Sequence, residues 1–258
     1  MNNNFLIFKA LLARDLKVTL VNFRSIIIDA CINVTCFILI FAHFLPALGM
    51  DRSLSAPLFL GTNVITIISL SYTRMVRIKS DIEFKHFINY HFTLPITKSW
   101  LLAEYVLAFI FDITISILPA LILGLILIDG AVIFKFNPFA FVLIFLISLI
   151  FIAISFLFLA FKFSWVWLIN NTWERMLSPL TQLGCLFFMW QNLEKFSPLL
   201  SKFILLNPVT YISEGLRASL FGTEKYLPIL VCLLVLLFST IIMAILMWRA
   251  MKKRMDPV

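Results

Sequence analysis

Few residues in this chain are placed to do chemistry. Asp29 and Asp112 stand in or beside long apolar stretches, and an acid in hydrocarbon is costly unless it serves a path or finds a partner. Asp112 falls about 17 Å along its apolar segment at 1.5 Å per residue, near mid-membrane. It reads as a polar spot on a translocation path, as a proton relay, or as a structural acid bonded through Asn33, Asn63 or a hydroxyl on a neighbouring helix; the structural reading is preferred. Asp29, closer to an interface, reads as solvated. Hydrolytic chemistry is poorly provided for. His43, His86 and His91 are the only histidines, and none has a glutamate at H-E-x-x-H spacing. None of the seven glycines precedes a lysine, so the phosphate-cradling G-x-x-x-x-G-K-[ST] loop cannot occur. The expectation is a chain that is not an enzyme, with no catalytic, cofactor-binding or metal-binding residues of its own. Cys31, Cys36, Cys185 and Cys232 include no C-x-x-C pair and read as packing residues, without disulfides.

The elements that would position these groups follow from composition. Of 258 residues, 62% are hydrophobic and 13% charged, with a mean hydropathy of +1.04. Soluble domains are about 25% charged, so an ordinary globular fold is excluded, and 28 phenylalanines exclude a disordered chain. Charge-free stretches of about 20 residues mark membrane crossings. They predict an all-α membrane protein with six spans, at 26–49, 57–75, 101–128, 139–160, 177–193 and 228–248, the fifth being short. With six spans both termini share a side, and fifteen of the 21 basic residues fall there, clustered at Lys9–Arg24, Arg74–Lys98, Lys162, Arg175 and Arg249–Arg254. The positive-inside rule makes that side cytoplasmic. The net charge of +8 is then a topology signal, and no nucleic-acid partner is expected. The first span is expected to act as an uncleaved signal anchor.

The connecting segments carry most of the functional information. Phe5, Phe8, Leu12, Leu16, Leu20 and Phe23 share one helical face opposite Arg14, Asp15 and Lys17, the pattern of an interfacial helix over 5–24 in contact with membrane lipids. After the second span, Ser80-Asp81-Ile82-Glu83 fits a capping box, predicting a cytoplasmic helix over 80–93 with Phe84, Phe87 and Ile88 on one face. Leu94-Pro95 would stop it. That face could pack on its own bundle or dock on a partner. Between spans five and six, Pro198–Leu206 is too short to cross. Asn207-Pro208 is a strong helix start, and Gly222 is a favoured stop after Phe221. Glu214 and Arg217, three apart, can pair along that helix's surface. Two short helices over 196–222 read as a re-entrant outer hairpin, tolerated where protein shields the backbone; a plain loop is the alternative.

Together, these features resemble the type-2 ABC exporter permeases. The sharpest match is Leu206-Asn207-Pro208-Val209-Thr210-Tyr211 followed by Glu214, Arg217 and Gly222, similar to the family's signature before its last span. Leu94-Pro95-Ile96 leading to Trp100 and Glu104 is similar to the segment after the family's coupling helix. The residue-level match covers about 17 positions, although the topological likeness covers the chain. The resemblance implies a homodimeric, multi-pass permease of a bacterial cytoplasmic (inner) membrane. Two copies of a separate ATPase subunit would bind ATP and Mg. Ser80, Glu83, Phe84, Phe87 and Ile88 would couple to them. Asn207, Pro208, Glu214, Arg217 and Gly222 would form an outer gate, and Asp112 would be a candidate on the translocation path. The cargo would be a lipo-oligosaccharide, a polysaccharide or a lipophilic small molecule. The alternative is an ion-coupled secondary transporter using Asp112, weakened because the two halves show no internal sequence repeat.

Overall fold

The computed structural model describes residues 3–85, 93–127 and 136–255, which are helical and contain no strand. Helix α1 (Asn3–Val21) is separated from α2 (Phe23–Ile38) by a one-residue hinge at Asn22, whose φ and ψ are −89° and 6°. Helix α2 runs on through a π turn (Leu39–Phe44) into a last short turn (Leu45–Ala47) that holds Pro46. Proline lacks the N–H for an i→i−4 bond and crowds the preceding turn, and a widened turn is a usual way to absorb that. Helix α3 (Ser55–Ser80) continues as a π turn over Asp81–Lys85. Next come α4 (Lys98–Leu127) and α5 (Pro138–Lys162). Helix α5 is started by Pro138 and by Asn137, whose side chain accepts a hydrogen bond from the Ala140 N–H at 3.1 Å. Helix α6 (Trp165–Asn171), a π turn (Thr172–Leu177) and α7 (Ser178–Gln182) form one irregular helical run. Three short helices follow, α8 (Trp190–Phe196), α9 (Pro198–Ile204) and α10 (Pro208–Phe221), and then α11 (Ile229–Met255).

Five of these helical stretches are long and apolar enough to cross a membrane: Phe23–Ala47, Arg52–Phe84, Lys98–Gly124, Pro138–Lys162 and Ile229–Lys253. They correspond to five of the six expected spans. The stretch expected as the fifth, 177–193, is not one helix. It stops at Gln182, passes through irregular backbone with Cys185 at φ 54°, and becomes helical again at Trp190. Hydropathy could not reveal this, because the break is made by backbone carbonyls that find partners elsewhere in the fold.

A second difference concerns the capping box. Ser80 is not a helix start: the Asp81 N–H still bonds to the carbonyls of Arg77 and Ile78, so α3 passes through the site unbroken. Glu83 has another use. It lies 2.7 Å from the Nζ of Lys79, a fully buried lysine, and its other oxygen accepts the Trp165 N–H at 3.2 Å, at the first residue of α6. A carboxylate is favoured at a helix N-terminus. Phe84 meets Trp165 edge-on at 5.2 Å and is otherwise exposed. Phe87 and Ile88 lie outside the described residues.

Helix α5 occupies the middle of the bundle, packed by α3, α4, α10 and α11. It is the most apolar of the five and, like α3, mostly buried, whereas α2 and α11 are mostly exposed and lie on the perimeter. Helix α2 leans on α4, and α3 meets this first span chiefly at the π turn over Leu39–Phe44. Helices α3 and α4 approach closely at Gly124, where a Cβ would overlap the ring of Phe59, itself 2% exposed. Overpacking of this kind costs about 1–3 kcal/mol. Gly124→Ala is therefore expected to lower the thermal unfolding temperature in detergent, followed by tryptophan fluorescence. Adding Phe59→Leu should recover part of the loss, since the two changes share one contact.

Candidate functional site

Helix α10 carries the sharpest sequence motif, and its polar residues converge on a single task. Where α7 ends at Gln182, the last carbonyls lose their intrahelical partners, and the irregular segment 183–189 adds more. In an apolar surrounding each unpaired carbonyl is costly. Asn207 caps α10 by accepting from the Val209 N–H at 3.0 Å, while its amide donates to the Leu180 carbonyl at 2.7 Å. Ser213 donates to the Gly184 carbonyl at 2.7 Å. Thr210 and Tyr211 donate to the carbonyls of Ile204 and Leu205, at the end of α9, at 3.1 and 2.8 Å.

Arg217 serves the rest. Its Nη1 donates to the carbonyls of Cys185 and Phe188, its Nη2 to Leu186 at 2.6 Å, and its Nε to Pro57 in the first turn of α3 at 2.9 Å. Glu214 balances the charge, with Oε1 3.4 Å from Nη1 and also accepting the Trp190 N–H, which begins α8. Both side chains are fully buried, so the pair expected along the helix surface is an interior one. Gly61 makes room: a Cβ there would overlap the Leu186 carbonyl and come within 2.9 Å of Nη2 of Arg217. Gly222 ends α10 at φ 89°, in the region that favours glycine. A cavity of 540 Å³ opens beside this centre, with Pro57, Met189 and Tyr226 on its walls and Asp51, Lys195, Glu224 and Lys225 at its charged rim. Asp51 is held below the usual carboxylate range by hydrogen bonds from Ser53.

A second polar centre contains Asp112. Its Oδ1 accepts from the Thr19 hydroxyl at 3.0 Å and its Oδ2 lies 3.5 Å from Nη1 of Arg74. Arg74 also reaches Asp15 at 3.4 Å, and Asp15 accepts from Nε and Nη2 of Arg14 at 2.9 and 2.7 Å. Asp15, expected on the outer face of α1, is thus turned inward to Arg74 of α3, while α1 packs on α4 with Leu11 and Thr19 buried and Thr19 bonded to Asp112. Of the partners foreseen for Asp112, the hydroxyl is found; Asn33 and Asn63 instead hydrogen-bond to backbone carbonyls of their own helices. Glu104, two turns before Asp112 on α4, is fully buried, and neither oxygen has a hydrogen-bond partner among the described residues.

The structure thus brings Asn207, Pro208, Glu214, Arg217 and Gly222 together on one helix and its caps. It gathers Ser80, Glu83 and Phe84 at the far end of α3, and puts Asp112 in a separate ion-pair network. Sequence reasoning missed Gly61, Lys79, Trp165 and the Asp15–Arg74 pair, and only Gly61, a lone glycine in an apolar helix, gave a local signal. No family model matches this chain, and no match is found among curated proteins.

Removing one partner of a buried charged network costs about 3–5 kcal/mol, because the others are left unsatisfied. Arg217→Gln is expected to reduce the yield of monodisperse protein sharply and to lower its unfolding temperature. Gly61→Ala should do the same through displacement of Leu186. Lys253→Gln, on an exposed turn of α11, should leave both measurements unchanged.

Proposed function

We propose that this chain is the membrane-spanning permease subunit of an ATP-driven exporter of the type-2 ABC class. It would work as a homodimer with two copies of a separate ATPase subunit, which hold the ATP and Mg. The observation that carries the reading is the α10 centre, where Asn207, Glu214 and Arg217 of the family-like signature satisfy the backbone of an interrupted helix. That is the behaviour expected of a short hairpin held at membrane depth by protein. In this reading the interrupted run through α6, α7 and α8 makes the sixth crossing, Asn207–Gly222 forms the outer gate, and the bacterial inner membrane holds the chain with both termini cytoplasmic.

The extension of α3 supports the coupling role. It carries an exposed Phe84 packed against Trp165, and Glu83 links it to α6. Closure of an ATPase pair against this end would press on α3 and α6 together. That motion would tilt the spans and open a path at the dimer interface for an amphipathic cargo, a lipid-linked saccharide or a lipophilic small molecule. In this scheme Asp112 belongs to the ion-pair network that holds α1, α3 and α4 together.

Affinity purification from gently solubilised native membranes, with mass spectrometry, tests the proposal. A near-stoichiometric partner with a phosphate-binding G-x-x-x-x-G-K-[ST] loop is expected. Phe84→Asp should reduce its recovery at unchanged yield of the permease. A stable complex without such a partner would favour the ion-driven alternative.

A further inference from the structure

A second cavity, away from α10, points to a ligand of definite chemistry. Helix α2 rests on α4 and stands off from α3 below the π turn. The gap is a groove whose charged part has a volume of 360 Å³, and it narrows into a slot of 80 Å³. The two parts share Asp29 and Ser116, so they run into one another. Along α3 one stripe faces the groove at helical spacing, from Arg77 and Arg74 through Thr66 and Asn63 to Phe59. The lining therefore grades from charged to hydroxyl and amide to aromatic over about five turns, the gradient of an amphiphile.

The charges define the head. Four ionic side chains line the wide part: Asp29, Arg74, Arg77 and Asp112. Arg74 and Asp112 face each other and are also held by Asp15 and Thr19 from α1. Arg77 on α3 and Asp29 on α2 are different: both are exposed, and neither side chain has an ionic or hydrogen-bonding partner among the described residues. One unpaired cation and one unpaired anion on opposite walls fit neither a simple anion nor a simple cation.

We propose that this groove binds the headgroup of a zwitterionic membrane amphiphile, its phosphate on Arg77 and its ammonium on Asp29, entering sideways from the bilayer between the first two long helices. The slot towards Phe59 takes the first carbons of the tail. The hydroxyls and amides between, Thr66 and Asn63 among them, suit the glycerol and ester oxygens. The assignment rests on the groove alone and does not depend on ATP-driven export.

The test is native mass spectrometry of the full-length protein in mild detergent, titrated with short-chain phosphatidylethanolamine and, separately, phosphatidylglycerol. The wild type is expected to retain the ethanolamine lipid about tenfold better, the size of one charge-assisted contact. Asp29→Asn should erase that preference, Arg77→Gln should weaken both lipids alike, and Lys195→Gln, at the other cavity, should change nothing. Water-soluble phosphoethanolamine should displace no lipid. Equal retention of the two lipids by the wild type, a result that needs no variant, would overturn the zwitterionic assignment. So would displacement by an uncharged alkyl maltoside. Displacement by phosphoethanolamine would overturn entry from the bilayer.

Discussion

The structure depends on a guanidinium placed among carbonyls. A helix interrupted inside an apolar bundle leaves several backbone acceptors that water cannot reach, and each unpaired one is costly. Arg217 has five N–H donors in a rigid fork and cannot lose its charge. It gathers the carbonyls of Pro57, Cys185, Leu186 and Phe188 around one point. The interruption between α7 and α8 and the position of the first turn of α3 thus depend on one side chain, which is why Gly61 must lack a Cβ. The buried charge is tolerated because Glu214 and the carbonyl dipoles together replace its hydration.

The opposite end of α3 is organised by a different rule. There, Arg14, Asp15, Arg74 and Asp112 alternate in sign across three helices, each charge bounded by its opposite. The contacts at 3.4–3.5 Å are looser than the carbonyl contacts of Arg217. They fix the face that α1 turns to α3 and α4, while α2, joined to α1 by a single hinge residue and resting on α4, has no ionic tie to α3 among the described residues. The groove between α2 and α3 is the result of that arrangement.

Length and apolar continuity made five of the long helices legible, because a membrane-sized helix needs little more than an uncharged run and a cap. Asn207-Pro208 and Gly222 marked their helix ends for local reasons that act within a few residues. The failures share a cause. Ser80–Glu83 has the composition of a cap, but the α3 backbone is already helical there, and Glu83 is claimed by Lys79 and Trp165, the latter 82 residues away. Charge-free composition suggested a crossing at 177–193, yet the helix breaks where Arg217, some 30 residues later, offers its carbonyls better partners. Asp15 was assigned to the wrong face because the periodicity of α1 counts a carboxylate as outward, whatever cation waits on the neighbouring helix.

Helix α3 touches both polar centres without a break. Gly61 lies against the Leu186 carbonyl at one end, and Glu83 holds the start of α6 at the other. Twenty-two residues separate them, about 33 Å of rod at 1.5 Å per residue. An α-helix resists torsion because every turn is tied to the next, so a rotation at either end reaches the other almost undiminished. The π turn at Asp81–Lys85 is a widened link in that shaft, and it contains Glu83, paired back to Lys79 one turn earlier. A load applied at Glu83 therefore meets the widened turn first, and the regular helix that reaches the Leu186 carbonyl only after it.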